Sequence, residues 1–139
     1  MKPPLFDYVT PESVEEAVAA RAAEEDSVLL AGGQSLLATL NFRIANPALL
    51  IDISRIAALK GIDVGAGEII IRAMVRQREV ELSDAVHGAN PPLREVLQKV
   101  AHTVVRNRGT IAGSIAHADA AAELPAMLLA TEGVVDVQG

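Results

Sequence analysis

Two short stretches of small and hydroxyl-bearing residues are the places where this chain could do chemistry. The first is Ala31-Gly32-Gly33-Gln34-Ser35, running on into Leu36. Consecutive glycines reach backbone angles closed to other residues, and they lack the Cβ that keeps a ligand away from the main chain. Their N–H groups can then converge on an anion, and Ser35 adds a hydroxyl donor. The three spaced glycines of a Rossmann turn are absent, and so is the Gly-Lys-Ser/Thr of a Walker loop. A tight turn that binds nothing is the competing reading, and the local pattern leaves both open. The second stretch is Thr110-Ile111-Ala112-Gly113-Ser114, followed by His117, Asp119 and Glu123. Thr110, Ser114 and the main chain offer donors, while Asp119 and Glu123 offer acceptors. Two donor-rich turns and a carboxylate suit a dinucleotide, whose phosphates take donors and whose ribose hydroxyls need an acceptor. For Glu123 alone, the local pattern favours a helix-dipole or capping role.

The other polar candidates read less specifically. His117 titrates near neutrality and has the chemistry of a general base. No carboxylate or nucleophile is evidently paired with it, so packing or hydrogen bonding is the better reading. Ser114 lies three residues before it, which is weak grounds for a nucleophile pair. His87 and His102 give no metal spacing with His117. Arg106 and Arg108 flank Asn107 just before the second stretch. They could approach phosphate or pair with an acidic surface, and the pattern favours the surface.

Composition narrows the classes further. The chain has 139 residues, enough for one ordinary domain, and half of them are hydrophobic. Its charge of −6 argues against a phosphate-backbone binder, and three aromatics argue against base stacking on single strands. No nucleic-acid partner is therefore expected. With no cysteine there are no disulfides, thiolate metal sites or thiol nucleophiles. No apolar run reaches the roughly 18 residues of a membrane span, and no signal-peptide core follows Met1-Lys2-Pro3-Pro4. A cytoplasmic domain is the default expectation.

The elements that must position the two stretches follow from pattern. Thr10-Pro11 reads as an N-cap with proline at the first helical position, opening a helix through Glu24. Ser27–Ala31 reads as a strand ending at the first glycine turn. Ser35–Leu40 reads as a short helix leaving it, and Leu49–Ile53 as a buried strand. Ile62–Val64 and Glu68–Ala73 around Gly65-Ala66-Gly67 read as a hairpin. Arg76–Ser83 is polar and ambiguous. Asn90-Pro91-Pro92 breaks the chain before a helix over Leu93–His102. Arg108–Ser114 reads as a glycine-rich loop, Ala121–Thr131 as a helix stopped by Gly133, and Val134–Val137 as a strand.

Taken together, Ala31-Gly32-Gly33-Gln34-Ser35-Leu36-Leu37 and the run from Arg106 through Gly109-Thr110-Ile111-Ala112-Gly113-Ser114 to Asp119 and Ala122-Glu123-Leu124-Pro125 resemble the FAD-binding medium subunit of the molybdenum hydroxylases. That is the carbon monoxide dehydrogenase and xanthine dehydrogenase family. Phe6-Asp7-Tyr8, Asn41-Phe42-Arg43 and Leu50-Ile51-Asp52-Ile53 fit it too, so the resemblance covers essentially the whole chain. It implies an α+β, two-subdomain FAD-binding fold of the vanillyl-alcohol-oxidase type. Residues 1–57 would form the first subdomain (β-α-β type) and 58–139 a partial second one, without the C-terminal domain. FAD would lie extended between the subdomains. Ala31, Gly32, Gly33, Gln34, Ser35 and Leu36 would bind its pyrophosphate from one side, and Thr110, Ala112, Gly113 and Ser114 from the other. Asp119 and Glu123 match acidic positions near the nucleotide. No catalytic side chain and no metal ligand is implied. The implied partners are a molybdopterin-binding large subunit and a 2Fe-2S small subunit. Electrons would pass from the iron–sulfur clusters through FAD to an external acceptor, so the chain would serve as one subunit of an oxidoreductase.

Three departures from the family pattern bear on this. Ala112 stands where the family usually has glycine; if a positive φ is required there, alanine is strained and the pocket is damaged, whereas if the glycine serves only close packing a methyl group is tolerated, and Ala112→Gly is expected to strengthen binding. Ala120 replaces a usual proline. Family members are also longer, so a shortened medium subunit with reduced flavin affinity, an open sheet edge and an exposed apolar face is expected. Two other functions compete: a non-catalytic remnant that keeps the fold without flavin, and a non-redox nucleotide-binding module.

Overall fold

A central strand of three aliphatic residues followed by an aspartate organises the first part of the chain. In the computed structural model, which describes residues 2–139, β3 (Leu49–Asp52) lies between β1 (Asp7–Val9) and β2 (Ser27–Leu30), all parallel. Leu50 and Ile51 are buried, as expected of a strand covered on both faces. Parallel neighbours need a crossover, and α1 (Val14–Ala23) and α2 (Leu36–Asn41) occupy the connections. Ala17, Leu40, Ile53 and Ile56 join Leu50 and Ile51 in the buried core of this part.

The start of α1 differs from the sequence expectation. The N-cap is Ser13, not Thr10: the Ser13 side chain accepts from the Glu16 N–H at 3.1 Å. Glu16 in turn accepts from the Glu12 N–H at 2.8 Å. These two bonds satisfy the Glu12 and Glu16 N–H groups ahead of the helix's own ladder, and the helix begins three residues later than a Thr10 cap would give. At its far end Arg21 donates to the carbonyls of Glu24 and Glu25 and holds the exit towards β2.

Chain contacts divide the molecule into two compact units: Met1–Ala58 with Gln138–Gly139, and Leu59–Val137. The second opens with the expected hairpin, β4 (Ile62–Val64) antiparallel to β5 (Ile69–Ile71). Its remainder is helical: α3 (Gln77–Leu82), α4 (Asp84–Ala89), α5 (Pro91–Lys99), α6 (Thr103–Arg106), α7 (Ile111–His117) and α8 (Glu123–Ala130). Val75, Val80, Val86, Leu93, Leu97, Ile111 and Leu124 form its core.

Four segments of this unit correct the sequence reading. Asn90-Pro91-Pro92 starts a helix as well as ending one, because Asn90 caps the Leu93 N–H and Pro91 sits where a missing N–H costs nothing. The expected helix over Leu93–His102 ends at Lys99, and Ala101 follows with φ +41. The expected glycine-rich loop Arg108–Ser114 becomes helix from Ile111. No strand forms over Val134–Val137: Val134 and Val137 are exposed, and among the described residues no strand pairs with this segment to offer its backbone groups a ladder.

Candidate functional site

The first glycine turn hands β2 over to α2 through a left-handed residue. Gly33 has φ +70, and a Cβ there would meet Leu30 Cδ1 and Leu37 Cδ1, both at 3.1 Å. The left-handed conformation favours glycine, and a Cβ would also press on the two leucine side chains. The N–H groups of Gly32, Gly33, Gln34, Ser35 and Leu36 make no hydrogen bond among the described residues. Five successive unspent donors on a surface turn have the chemistry that phosphate oxygens need. Ser35 stands at the start of α2, yet its hydroxyl makes no capping bond and remains exposed. Gln34 is also exposed and donates to the Gly32 carbonyl at 3.2 Å, bracing the turn. Ala31 and Leu36 are half-buried at its two ends.

The second turn is built differently. Thr110 is 2 % exposed and is the N-cap of α7, its hydroxyl accepting from the Gly113 N–H at 3.0 Å. Ala112 and Gly113 lie in the first turn of that helix, and neither has a positive φ. The condition for strain at Ala112, a positive φ, is therefore not met: a methyl group fits helical backbone, and Ala112→Gly has no backbone strain to relieve. The Ala112 N–H makes no hydrogen bond among the described residues, and the half-buried Ser114 hydroxyl likewise makes none. Asp119 forms a local turn by accepting from the Ala121 N–H at 2.9 Å. Glu123 is the exposed first residue of α8, where its charge suits the helix end. His117 closes α7 in an exposed position and shares no hydrogen bond with Ser114. No group of three or more metal-ligating side chains occurs among the described residues.

Arg106 overturns the surface reading. It is buried and spends all its donor positions inside the protein. Nε donates to Glu81 Oε2 at 2.8 Å, Nη1 to the Val100 and Ala101 carbonyls, and Nη2 to Glu81 Oε1 and Thr103 Oγ1. The positive φ of Ala101 turns its carbonyl towards the guanidinium. Arg106 chiefly, and Arg78 at 2.7 Å, hold the Glu81 carboxyl below the usual glutamate range despite its burial. Neither Glu81 nor Gln77 stood out in sequence. The available signal was their spacing with Val80, which places all three on one buried helical face.

A second polar pair joins residues far apart in the chain. Tyr8 Oη donates to Asp52 Oδ2 at 2.5 Å, and the Ser54 N–H donates to Asp52 Oδ1 at 2.8 Å. Burial opposes ionisation of Asp52, but these two bonds outweigh it and hold the carboxyl below its ordinary value. The same bond to Asp52 pushes the Tyr8 hydroxyl up.

Comparison with known proteins places these features. The family described as "FAD binding domain in molybdopterin dehydrogenase" matches residues 4–139. The 6-hydroxypseudooxynicotine dehydrogenase complex subunit alpha of Paenarthrobacter nicotinovorans is 47 % identical over 139 residues, which is 99 % of this chain and 47 % of that protein. The carbon monoxide dehydrogenase medium chain of Hydrogenophaga pseudoflava is 41 % identical over 140 residues, covering 100 % of this chain and 49 % of its own length. The crystal structure of quinoline 2-oxidoreductase from Pseudomonas putida 86 superposes with a TM-score of 0.89 at 42 % identity, over 92 % of this chain and 45 % of that one. The chain thus spans about half the length of the curated relatives it matches.

Proposed function

The chain belongs to the family of FAD-binding domains of molybdopterin dehydrogenases, with FAD as its cofactor, and on that premise we propose how its residues hold the flavin nucleotide and what work it serves. The turn at Ala31–Leu36 takes phosphate oxygens of FAD on its unspent N–H groups, with Ser35 adding a hydroxyl. Ala112 and Ser114 of the second turn donate to the diphosphate as well, while Thr110 and Gly113 fix that turn's shape. Glu123 accepts from hydroxyls of the nucleotide, and Asp119 shapes the approach to it. The run of five unspent donors around Gly33 carries this reading, because a surface turn so rich in N–H groups has the chemistry of an anion cradle.

Bound FAD supplies redox chemistry that no side chain here possesses, and the protein's part is to bind and orient it. We propose the vanillyl-alcohol-oxidase type of flavin fold, with residues 1–57 as a first subdomain and 58–139 as part of a second. The proposed work is electron transfer within a molybdenum-dependent oxidoreductase, from a 2Fe-2S subunit that is itself fed by a molybdopterin subunit. Medium chains of carbon monoxide dehydrogenase among the relatives support that division of labour.

Ser35→Asp tests the cradle. Ser35 is exposed and makes no cap bond, so the change leaves stability within about 0.5 kcal/mol. A carboxylate facing the phosphates weakens FAD binding by at least tenfold, one unfavourable charge contact being worth upwards of about 1.4 kcal/mol. Titration of the chain with FAD, followed by flavin fluorescence, reads the result. Unchanged affinity in Ser35→Asp removes the assignment of this turn.

A further inference from the structure

The second turn has no left-handed glycine; the Thr110 cap fixes it from within, and the placement of Thr110 itself depends on residues outside the turn. Helix α3 lies against the segment that leads into it. The Gln77 N–H donates to the Gly109 carbonyl at 2.8 Å, and the Ile111 N–H donates to the Val75 carbonyl at 3.3 Å. Arg76 and Thr110 form an isolated antiparallel bridge between these bonds, and the Arg76 guanidinium also donates to the Arg108 carbonyl. The Gln77 side chain completes the set. It is 5 % exposed, and its Nε2 faces the Thr110 carbonyl at 3.4 Å, a long contact for a hydrogen bond. Its amide also lies over Gly109: a Cβ at that residue would meet Gln77 Cδ and Oε1, both at 3.1 Å.

Gln77 Oε1 is buried and has no partner among the described residues. A buried acceptor without a donor is unfavourable, and an apolar side chain of similar shape would avoid it. What only the amide supplies is a donor aimed at Thr110, the residue whose hydroxyl caps α7 and whose neighbours carry the donors of the second turn.

We propose that Gln77 is a positioning residue, holding Gly109 and Thr110 so that the N–H groups and hydroxyl of the Ala112–Ser114 turn are set for phosphate. The proposal rests on the reading of that turn as part of the FAD site. It acts through Thr110 and touches no ligand.

Gln77→Met keeps the length and bulk, deletes the donor, and deletes the orphaned acceptor. The whole chain is compared with its variant in three measurements: thermal midpoint, FAD affinity by fluorescence titration, and amide hydrogen exchange without FAD. The expected result is a midpoint equal to or above that of the parent. FAD affinity falls about tenfold, and the Ile111 and Gly113 amides exchange about tenfold faster, the equivalent of one hydrogen bond. Gly109→Ala, which pushes the amide aside from the other direction, moves the same two amides. Affinity and exchange within twofold of the parent in both variants overturn the proposal. So does a lowered midpoint with exchange accelerated equally across α5, which is what a general loss of packing produces. If the parent itself fails to bind FAD, the functional reading falls, and the exchange rates at Ile111 and Gly113 still decide the role of Gln77.

Discussion

Arg106→Met tests the buried polar network most severely. The parent guanidinium forms a two-point pair with Glu81 and donates to two carbonyls and to Thr103 Oγ1. Methionine fills much of the volume but leaves those acceptors and a buried carboxylate behind. Removing one partner of such a pair costs about 3–5 kcal/mol. Arg78 remains 2.7 Å from Glu81 and offsets part of the lost charge, so the lower end, about 3 kcal/mol, is expected. Against a typical total of about 5–15 kcal/mol, that is a fifth or more of the stability. Urea unfolding at pH 7, followed by far-ultraviolet circular dichroism, measures the loss. The double variant Glu81→Leu with Arg106→Met removes the stranded charge and recovers at least half of it. The pH dependence shifts as well. In the parent the Glu81 carboxyl is held low, chiefly by Arg106, so its contribution is complete above the ordinary glutamate value of about 4.3 and is lost as pH falls through the lower folded value. Without Arg106, burial pushes that folded value back up, and less stability remains to be lost in acid. A loss below about 1 kcal/mol, or a double variant no better than the single one, refutes the account of Arg106 as a buried hub.

Two further changes probe local features. Ala118 adopts a left-handed conformation (φ +52, ψ +35) at the end of α7, so Ala118→Gly gains about 1 kcal/mol in urea unfolding; no gain rules out a strained alanine cap. Tyr8→Phe removes the bond that helps to keep Asp52 ionised, so the Asp52 carboxyl titrates nearer its ordinary value of about 3.9. The resulting stability loss is present at pH 7 and shrinks as pH falls through the folded Asp52 value; an unmoved carboxyl resonance in an NMR titration contradicts this.

What the sequence made legible depended on whether a local rule decided the outcome. The parallel strands β2 and β3 were readable because their apolar runs stop at turn residues, and the glycine turn was readable because the left-handed φ of Gly33 strains any other residue. Thr10 misled because Thr-Pro mimics a helix start, whereas Ser13 and Glu16 supply the capping bonds three residues later. Helix α3 was obscured because Gln77 and Glu81, two of its inward-facing residues, are polar, and hydrophobic periodicity does not register a buried polar face. Arg106 was misread for the same reason. Its partner lies 25 residues earlier, and no spacing rule links positions so far apart.

The two turns therefore reach similar donor-rich ends by different physics. The Ala31–Leu36 turn carries its instruction within itself: one left-handed glycine, with leucine methyl groups closing the space a Cβ would need. The Thr110–Ser114 turn is helical backbone whose approach is fixed from α3, through Arg76 to Arg108, Gln77 to Thr110 and Glu81 to Arg106. Sensitivity to substitution must differ accordingly. In the first turn any side chain at residue 33 is strained, whatever surrounds it. In the second, alanine at residue 112 carries no backbone strain, and the positions that hold the turn are polar residues some 30 places earlier.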